Sequence, residues 1–317
     1  MHQHAASPRG VFVARVVANL RLCEGHYRLR LEVEGFPPSR PGQFLQVQCR
    51  PMEGQQDLRE LDWKDGRLPQ ATQRGLLGIE PILRRPLSLA GRQDVGGVAR
   101  LDIIYRVIGT GTRWLAGAVE GDEISILGPL GNGFEIRDRP AALVGGGVGI
   151  PPMIYLAAAL AGAGNPVVAL NGARTAALLP LTLIPGVAPR ADGEPTGAVA
   201  EFAELGVPSA VATDDGCLGY AGLVSAAFEK WLNAHRPGAD DLVVYGCGPE
   251  AMMRAVARTC EGHGLECQLA LERHMACGMG TCQSCIVKVK DPAKANGWSY
   301  KLCCADGPVF DATQLLW

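Results

Sequence analysis

A run of thiols close to the C-terminal end limits what this chain can become more than any other segment does. Residues 272–285 read E-R-H-M-A-C-G-M-G-T-C-Q-S-C, and residues 302–310 read L-C-C-A-D-G-P-V-F. Cys277, Cys282 and Cys285 stand in the spacing C-x4-C-x2-C, and Cys304 follows later with Cys303 beside it. Three thiolates in one tight loop with a fourth from a later segment is the plant-type [2Fe-2S] pattern. Soft sulfur donors in a set of four suit iron–sulfur or zinc. Structural zinc is usually held by C-x2-C pairs, and only Cys282 and Cys285 form one here. Gly278 and Gly280 fall inside the loop, where backbone amides must turn toward sulfur and a Cβ would obstruct the turn. The spacing predicts an iron–sulfur cluster, with zinc as the alternative.

With 317 residues the chain is long enough for two or three domains. A net charge of −2 and 20% charged residues give no basic surface for nucleic acid and no acidic tail. Of eleven Cys, four expected ligands leave the others with no evident pairing. That argues for a reducing compartment, the cytoplasm. The first ten residues lack the apolar core of a signal peptide. Residues 140–173 carry no charge, yet they are punctuated by Gly145, Gly146, Gly147, Gly149, Pro151, Pro152 and Pro166. A buried strand–loop–helix–strand is expected there, and no membrane span.

Alternation of apolar and polar residues predicts strands over 11–23, 27–33, 44–49, 86–90, 98–107 and 123–127. Gly/Pro turns between them point to a small antiparallel barrel. A charged, irregular insert over 51–81 reads as a solvated excursion. Two motifs in the barrel carry chemistry. In Arg84-Arg85-Pro86-Leu87-Ser88, an Arg fork before a short strand can grip a pyrophosphate while the strand lies along a flat ring. In Ile104-Tyr105-Arg106-Val107, then Gly109 to Thr112, a Gly/Thr loop opens a helix. Its amides and the Thr112 hydroxyl can meet phosphate beside Gly111, and Tyr105 can stack on an adenine or a flavin.

From Ala141 the period changes. Strands are expected over 141–144, 167–170, 210–213, 242–245 and 265–271, with helices over 153–161, 223–234 and 250–260. That alternation implies a doubly wound parallel sheet. The loop Gly145-Gly146-Gly147-Val148-Gly149-Ile150 departs from G-x-G-x-x-G at Ile150, but still lets backbone approach a diphosphate at a helix N-terminus. Cys247-Gly248-Pro249 follows a later strand, at the end where open sheets bind ligands. Asp214 and Asp215 either meet a ribose or cap a turn. Residues 175–194 read as a surface insert.

The barrel motifs resemble the FAD-binding barrel of the ferredoxin–NADP reductase superfamily. Its Arg-x-aromatic-Ser is matched by Arg85, Pro86, Leu87 and Ser88, with Leu87 in place of the aromatic. In that superfamily the G-G-x-G-x-x-P and C-G-P loops face NAD(P), which implies such contacts for Gly145, Gly146, Gly147, Gly149, Cys247, Gly248 and Pro249. The whole series of motifs is similar to the electron-transfer subunits of dihydroorotate dehydrogenase B. That series is R-R-P-x-S, Y-R-V-x-G-x-G-T, G-P-L-G-N-G-F, G-G-G-x-G-x-P-P, E-x-x-M-x-C-G-x-G-x-C-x-x-C and C-x-D-G-P-V-F, spanning residues 84–310. The last motif sets Cys304, two before Asp306, as the fourth ligand.

The resemblance implies a multi-domain chain, β then α/β. An antiparallel FAD-binding barrel would cover 9–138, a doubly wound NAD-binding domain 139–271 and a small [2Fe-2S] domain 272–317. It also implies a partner, an FMN-containing catalytic subunit that oxidises dihydroorotate, in a heterotetramer of two of each, serving pyrimidine biosynthesis. A nicotinamide exchanges electrons as hydride and a cluster singly, and a flavin handles both, so it belongs between them. The absence of a basic cluster for a 2′-phosphate leans toward NAD. Two alternatives remain open at this point. One is a reductase of the same architecture serving a sulfide dehydrogenase, a transhydrogenase or an oxygenase. The other is a zinc-stabilised nucleotide-binding regulator without redox chemistry.

Overall fold

The computed structural model describes residues 9–52 and 81–317. The charged insert over 51–81 therefore lies outside the described residues except at its two ends. Six strands close into an antiparallel barrel: β1 (Gly10–Cys23), β2 (His26–Glu34), β3 (Phe44–Val47), β4 (Arg85–Val95), β5 (Val98–Arg106) and β6 (Glu123–Leu130), in the order β1-β2-β5-β4-β3-β6. The long β1 makes closure possible. Its first half pairs with β6, from Gly10 opposite Gly128 to Arg15 opposite Glu123, and its second half pairs with β2. A register shift between Val16 and Ala18 bends it where the partner changes. Alternation then sends Leu29, Leu31, Leu45, Val47, Leu101 and Ile103 inward. Helix α1 (Thr110–Ala116) adds Leu115 to that core, and the Asn19 amide donates to the carbonyls of Leu115 and Ala118.

The second layer is a seven-stranded sheet. It contains β7 (Ala141–Gly146), β8 (Val167–Ala173), β9 (Ser209–Thr213), β10 (Tyr220–Ala221), β11 (Val243–Cys247) and β12 (Glu266–Ala270), all parallel. The order is β10-β9-β8-β7-β11-β12, and an antiparallel edge strand, β15 (Val309–Asp311), follows β12. The sequence pattern did not show β15, because three residues carry no readable period. Helix α2 (Ile150–Gly162) starts with two prolines in its first turn, where a missing N–H leaves no bond unmade. It packs between β7 and β8 on one side and β4 on the other. Burial on both sides explains why 140–173 has no charge. Its Tyr155 hydroxyl donates to the Ser39 carbonyl at 2.9 Å, tying sheet to barrel.

Residues 175–194 are not merely a surface excursion. Leu179 and Leu181 are buried in the sheet's core, and Glu24 of the β1–β2 turn donates its N–H to the Ala177 carbonyl. The remaining helices, α3 (Ala200–Ala203), α4 (Val224–His235) and α5 (Glu250–His263), cover the sheet. No helix among the described residues is long and apolar enough to cross a membrane.

The thiol-bearing tail carries one hairpin, β13 (Ile286–Lys290) with β14 (Trp298–Leu302), and returns to the sheet as β15. A clasp holds it to the barrel. The Asn132 side chain donates to the carbonyls of Asp306 and Val309, at 3.2 and 2.9 Å, and accepts from the Val309 N–H at 2.9 Å. The Asn132 N–H donates to the Gly307 carbonyl at 2.6 Å. Gly131 lies so close that a Cβ would sit 2.5 Å from Pro308 Cδ. The G-P-L-G-N-G-F motif is thus a joint between the barrel's last strand and the tail. Asn132→Ala should leave several main-chain groups of the joint unpaired and lower stability by about 1–3 kcal/mol. Denaturant unfolding, with limited proteolysis of the tail, measures it.

Candidate functional site

The two barrel motifs meet at one end of the barrel. Strands β4 and β5 are antiparallel, with Leu89 opposite Ile103, so β4 begins where β5 ends. Arg85 to Ser88 therefore lie beside Ile104 to Arg106, and β5 runs on into the Gly109–Thr112 loop. Contact is direct: a Cβ on Gly111 would come 3.1 Å from Arg85 Nε. Arg85 Nη1 also donates to the Leu83 carbonyl at 2.6 Å, which engages one edge of its guanidinium. The neighbouring Arg84 has a different job. It donates to the Ser125 carbonyl and hydroxyl, each at 2.8 Å, and so binds β4 to β6. Burial first, then the nearby Arg50 charge, holds its pKa below the usual range.

Two expectations at this end need correction. Tyr105 is only 1% exposed, stacked on Tyr27 at 5.8 Å, and its hydroxyl donates to Asn19 at 3.2 Å. It points into the barrel and offers no face to a ring; burial first of all pushes its pKa well above the ordinary tyrosine value. The Thr112 hydroxyl accepts from the N–H groups of Ile108 and Gly109, at 2.9 and 3.1 Å. It shapes the loop and is not free for phosphate, whereas Arg85 and Gly111 meet at the rim.

The sheet offers a crevice at its switch point. The chain leaves β7 toward β8 and β9, then crosses back to β11 and β12, so β7 and β11 are neighbours whose carboxyl ends open between diverging connections. Gly145 and Cys247 are in-register partners across that gap. The loops that follow are pressed together: a Cβ on Gly149 would sit 2.2 Å from the Cys247 carbonyl oxygen, and Gly248 adopts φ +159° with its Cβ position 3.2 Å from Gly146 Cα. The turn of Gly147–Gly149 also lies against β5, which brings this crevice to the barrel end that carries Arg85. Burial pushes the Cys247 thiol up to about 12, with the Glu272 carboxylate adding to the rise. The Asp215 side chain accepts from the Cys217 N–H at 3.1 Å, so it caps its own turn.

The thiol loop is shaped for sulfur ligation. Gly278 and Gly280 have φ +72° and +94°, a region L side chains avoid. The N–H groups of Met279 and Cys282 donate to Cys277 Sγ, and that of Cys304 donates to Cys285 Sγ, all at 3.4 Å. Amides aimed at sulfur stabilise thiolate charge. These contacts set Cys282 beside Cys277 and Cys304 beside Cys285. The Ser284 hydroxyl first, then nearby amides, lower the Cys282 thiol to about 6. Burial pushes Cys303 and Cys304 both up to about 12, so acidity does not separate them. Position does: Cys303 Sγ donates to the Leu271 carbonyl at 3.3 Å, away from the loop.

One residue at the site went unnoticed in the sequence. Gln46 of β3 is fully buried with neither amide atom paired among the described residues, and a Cβ on Gly278 would come 2.5 Å from its Nε2. A polar residue between apolar ones on a strand signals only an outward face.

A barrel joined to a switch-point sheet, with a four-thiol tail, defines a ferredoxin–NADP reductase-like architecture. It is similar to the structure of an NADH-dependent reduced ferredoxin-NADP oxidoreductase described for flavin-based electron bifurcation. That match has a TM-score of 0.67 and 25% identity, and covers 100% of this chain and 92% of that one. Residues 272–316 match the family described as the iron–sulfur cluster binding domain of dihydroorotate dehydrogenase B. The electron transfer subunit of dihydroorotate dehydrogenase B (NAD(+)) from Caldanaerobacter subterraneus subsp. tengcongensis is 33% identical over 304 residues, 96% of this chain and 97% of that protein. The corresponding subunit from Bacillus caldolyticus is 39% identical over 241 residues, 75% of this chain and 81% of that protein. The chain belongs to the family of dihydroorotate dehydrogenase B electron transfer subunits.

The pairing of the thiols has a direct consequence. Cys304→Ser should lose the cluster, whereas Cys303→Ser should keep it. Iron and acid-labile sulfide, measured on both variants after anaerobic purification, decide between the two neighbours.

Proposed function

We propose that this chain relays electrons from an FMN-containing dihydroorotate dehydrogenase subunit, through a [2Fe-2S] cluster and FAD, to NAD+ in pyrimidine biosynthesis. The observation that carries the reading is the meeting of three loops around one barrel end. Arg85 meets Gly111, the Gly147–Gly149 turn lies against β5, and Gly278 of the thiol loop lies against Gln46, which pairs with Pro86. Membership of the family and the iron–sulfur description of residues 272–316 support the same order of centres.

On this reading Cys277, Cys282, Cys285 and Cys304 hold the cluster. Arg85 and the amides near Gly111 hold the FAD pyrophosphate, with Pro86, Leu87 and Ser88 along the ring and Ile104 and Arg106 at its flank. Gly145, Gly146, Gly147 and Gly149 let the NAD diphosphate approach the start of α2, with Cys247, Gly248 and Pro249 closing the crevice. The bound groups would supply the redox chemistry, single electrons at the cluster and electron pairs at the nicotinamide, with a flavin able to handle both. The chain's own residues bind, orient and exclude water. The chain works as a cytoplasmic heterotetramer of two relay and two catalytic subunits.

The isolated chain should oxidise NADH with an artificial acceptor and show no turnover of dihydroorotate. Adding the FMN subunit should restore dihydroorotate-dependent NAD+ reduction. Dihydroorotate turnover by this chain alone sinks the division of labour. Arg85→Ala should weaken FAD retention by roughly tenfold to a hundredfold, the range of a lost charge-assisted bond. Tyr105→Phe should keep its flavin and lose only about 1 kcal/mol of stability. Flavin occupancy after gel filtration separates the two.

A further inference from the structure

Gln46 sits between Leu45 and Val47, whose side chains fill the barrel core. Alternation along β3 turns the Gln46 side chain to the outer wall. There it is 0% exposed, and neither its amide nitrogen nor its carbonyl oxygen has a hydrogen-bond partner among the described residues. A buried primary amide with nothing to bond is unfavourable for folding, and such groups mark a partner that belongs to the working molecule.

Two neighbours say what that partner is. Across the strands Gln46 is paired in register with Pro86, inside the Arg85–Ser88 segment of β4. Across the wall lies Gly278, the residue after Cys277, and a Cβ there would come 2.5 Å from Gln46 Nε2 and 2.7 Å from its Cγ. The amide is therefore lodged between the flavin-side strand and the thiol loop. Glycine at 278, at φ +72°, is what makes room for it.

We propose that the Gln46 side-chain amide donates a hydrogen bond to a sulfur of the cluster and thereby raises that cluster's reduction potential. The inference rests on the proposal that the thiol loop holds an iron–sulfur cluster. Sulfur in the reduced cluster carries more negative charge than in the oxidised one. A donor aimed at it favours the reduced form, and hydrogen bonds to the sulfurs are among the levers that set such potentials. Gln46 is in this sense a positioning residue of the electron path, supplied by the barrel to a centre held elsewhere.

The test uses the whole chain with its cofactors, purified anaerobically. Gln46→Met keeps the length and removes the donor; Gln46→Leu removes it with a different shape. Each is titrated potentiometrically, with the cluster followed by electron paramagnetic resonance and the flavin by absorbance. The expected result is a cluster harder to reduce by about tenfold, roughly 59 mV for one electron, with iron, sulfide and flavin potential as in the parent protein. An unmoved cluster potential in a variant that retains its iron overturns the proposal. So does a shift in the flavin potential instead, or loss of the cluster in both variants, which would make Gln46 structural. A parent protein with no cluster signal on reduction would refute the cluster itself, and a normal parent signal with unmoved variants refutes only the role of Gln46.

Discussion

Backbone lies against backbone where the barrel's exit segment meets the tail, and the rest of the arrangement depends on that contact. Gly131 leaves a space that a Cβ would fill: it would lie 2.5 Å from Pro308 Cδ and 2.9 Å from the Gly307 carbonyl oxygen. Side chains cannot separate chains packed that closely, so the Asn132 amide can reach three main-chain groups of the tail at once. The joint holds the thiol loop to the outer wall of the barrel, where Gly278 covers Gln46. Electron transfer weakens steeply with distance, and a relay therefore needs a fixed, short separation more than it needs a deep substrate pocket.

The same economy of space explains the middle of the chain. Helix α2 is buried on two sides, so its sequence is apolar all round, and the barrel gains a rigid neighbour. The strand before it ends in glycines because the loop after β11 leaves no room for side chains. A switch-point crevice built this way presents backbone amides to whatever enters it, and it faces the barrel rim because the Gly147–Gly149 turn lies against β5. Edge strand β15 completes the arrangement. The tail that carries Cys304 also hydrogen-bonds to β12, so the thiol segment is anchored in the sheet as well as on the barrel.

Much of this was legible in the residues, and the gaps have physical causes. The barrel strands, the parallel sheet and the three long helices followed from hydrophobic period, which depends on near neighbours in the chain. Strand β15 and the buried leucines at 179 and 181 did not, since a short segment gains its structure only from the surface it meets. Tyr105 read as a stacking residue because an aromatic beside a Gly/Thr loop can lie on a flat ring, yet the interior of the barrel claims its ring through Tyr27 and Asn19. Spacing identified three thiols of the loop outright. Choosing between Cys303 and Cys304 took family resemblance; in the structure the Cys303 thiol donates to the Leu271 carbonyl, and the Cys304 N–H donates to Cys285 Sγ.

The sequence by itself determined what is local: a four-thiol spacing, glycines where the backbone must turn or approach, and the alternations that make a barrel and then a sheet. Only the tertiary structure decided which side chains face a cofactor site and which are consumed inside the protein. It also decided that Arg85 meets Gly111 and that Gln46 is sealed beneath Gly278. Those outcomes turn on contacts between segments tens to hundreds of residues apart, and no periodicity or spacing along a chain encodes which distant surface a side chain will meet.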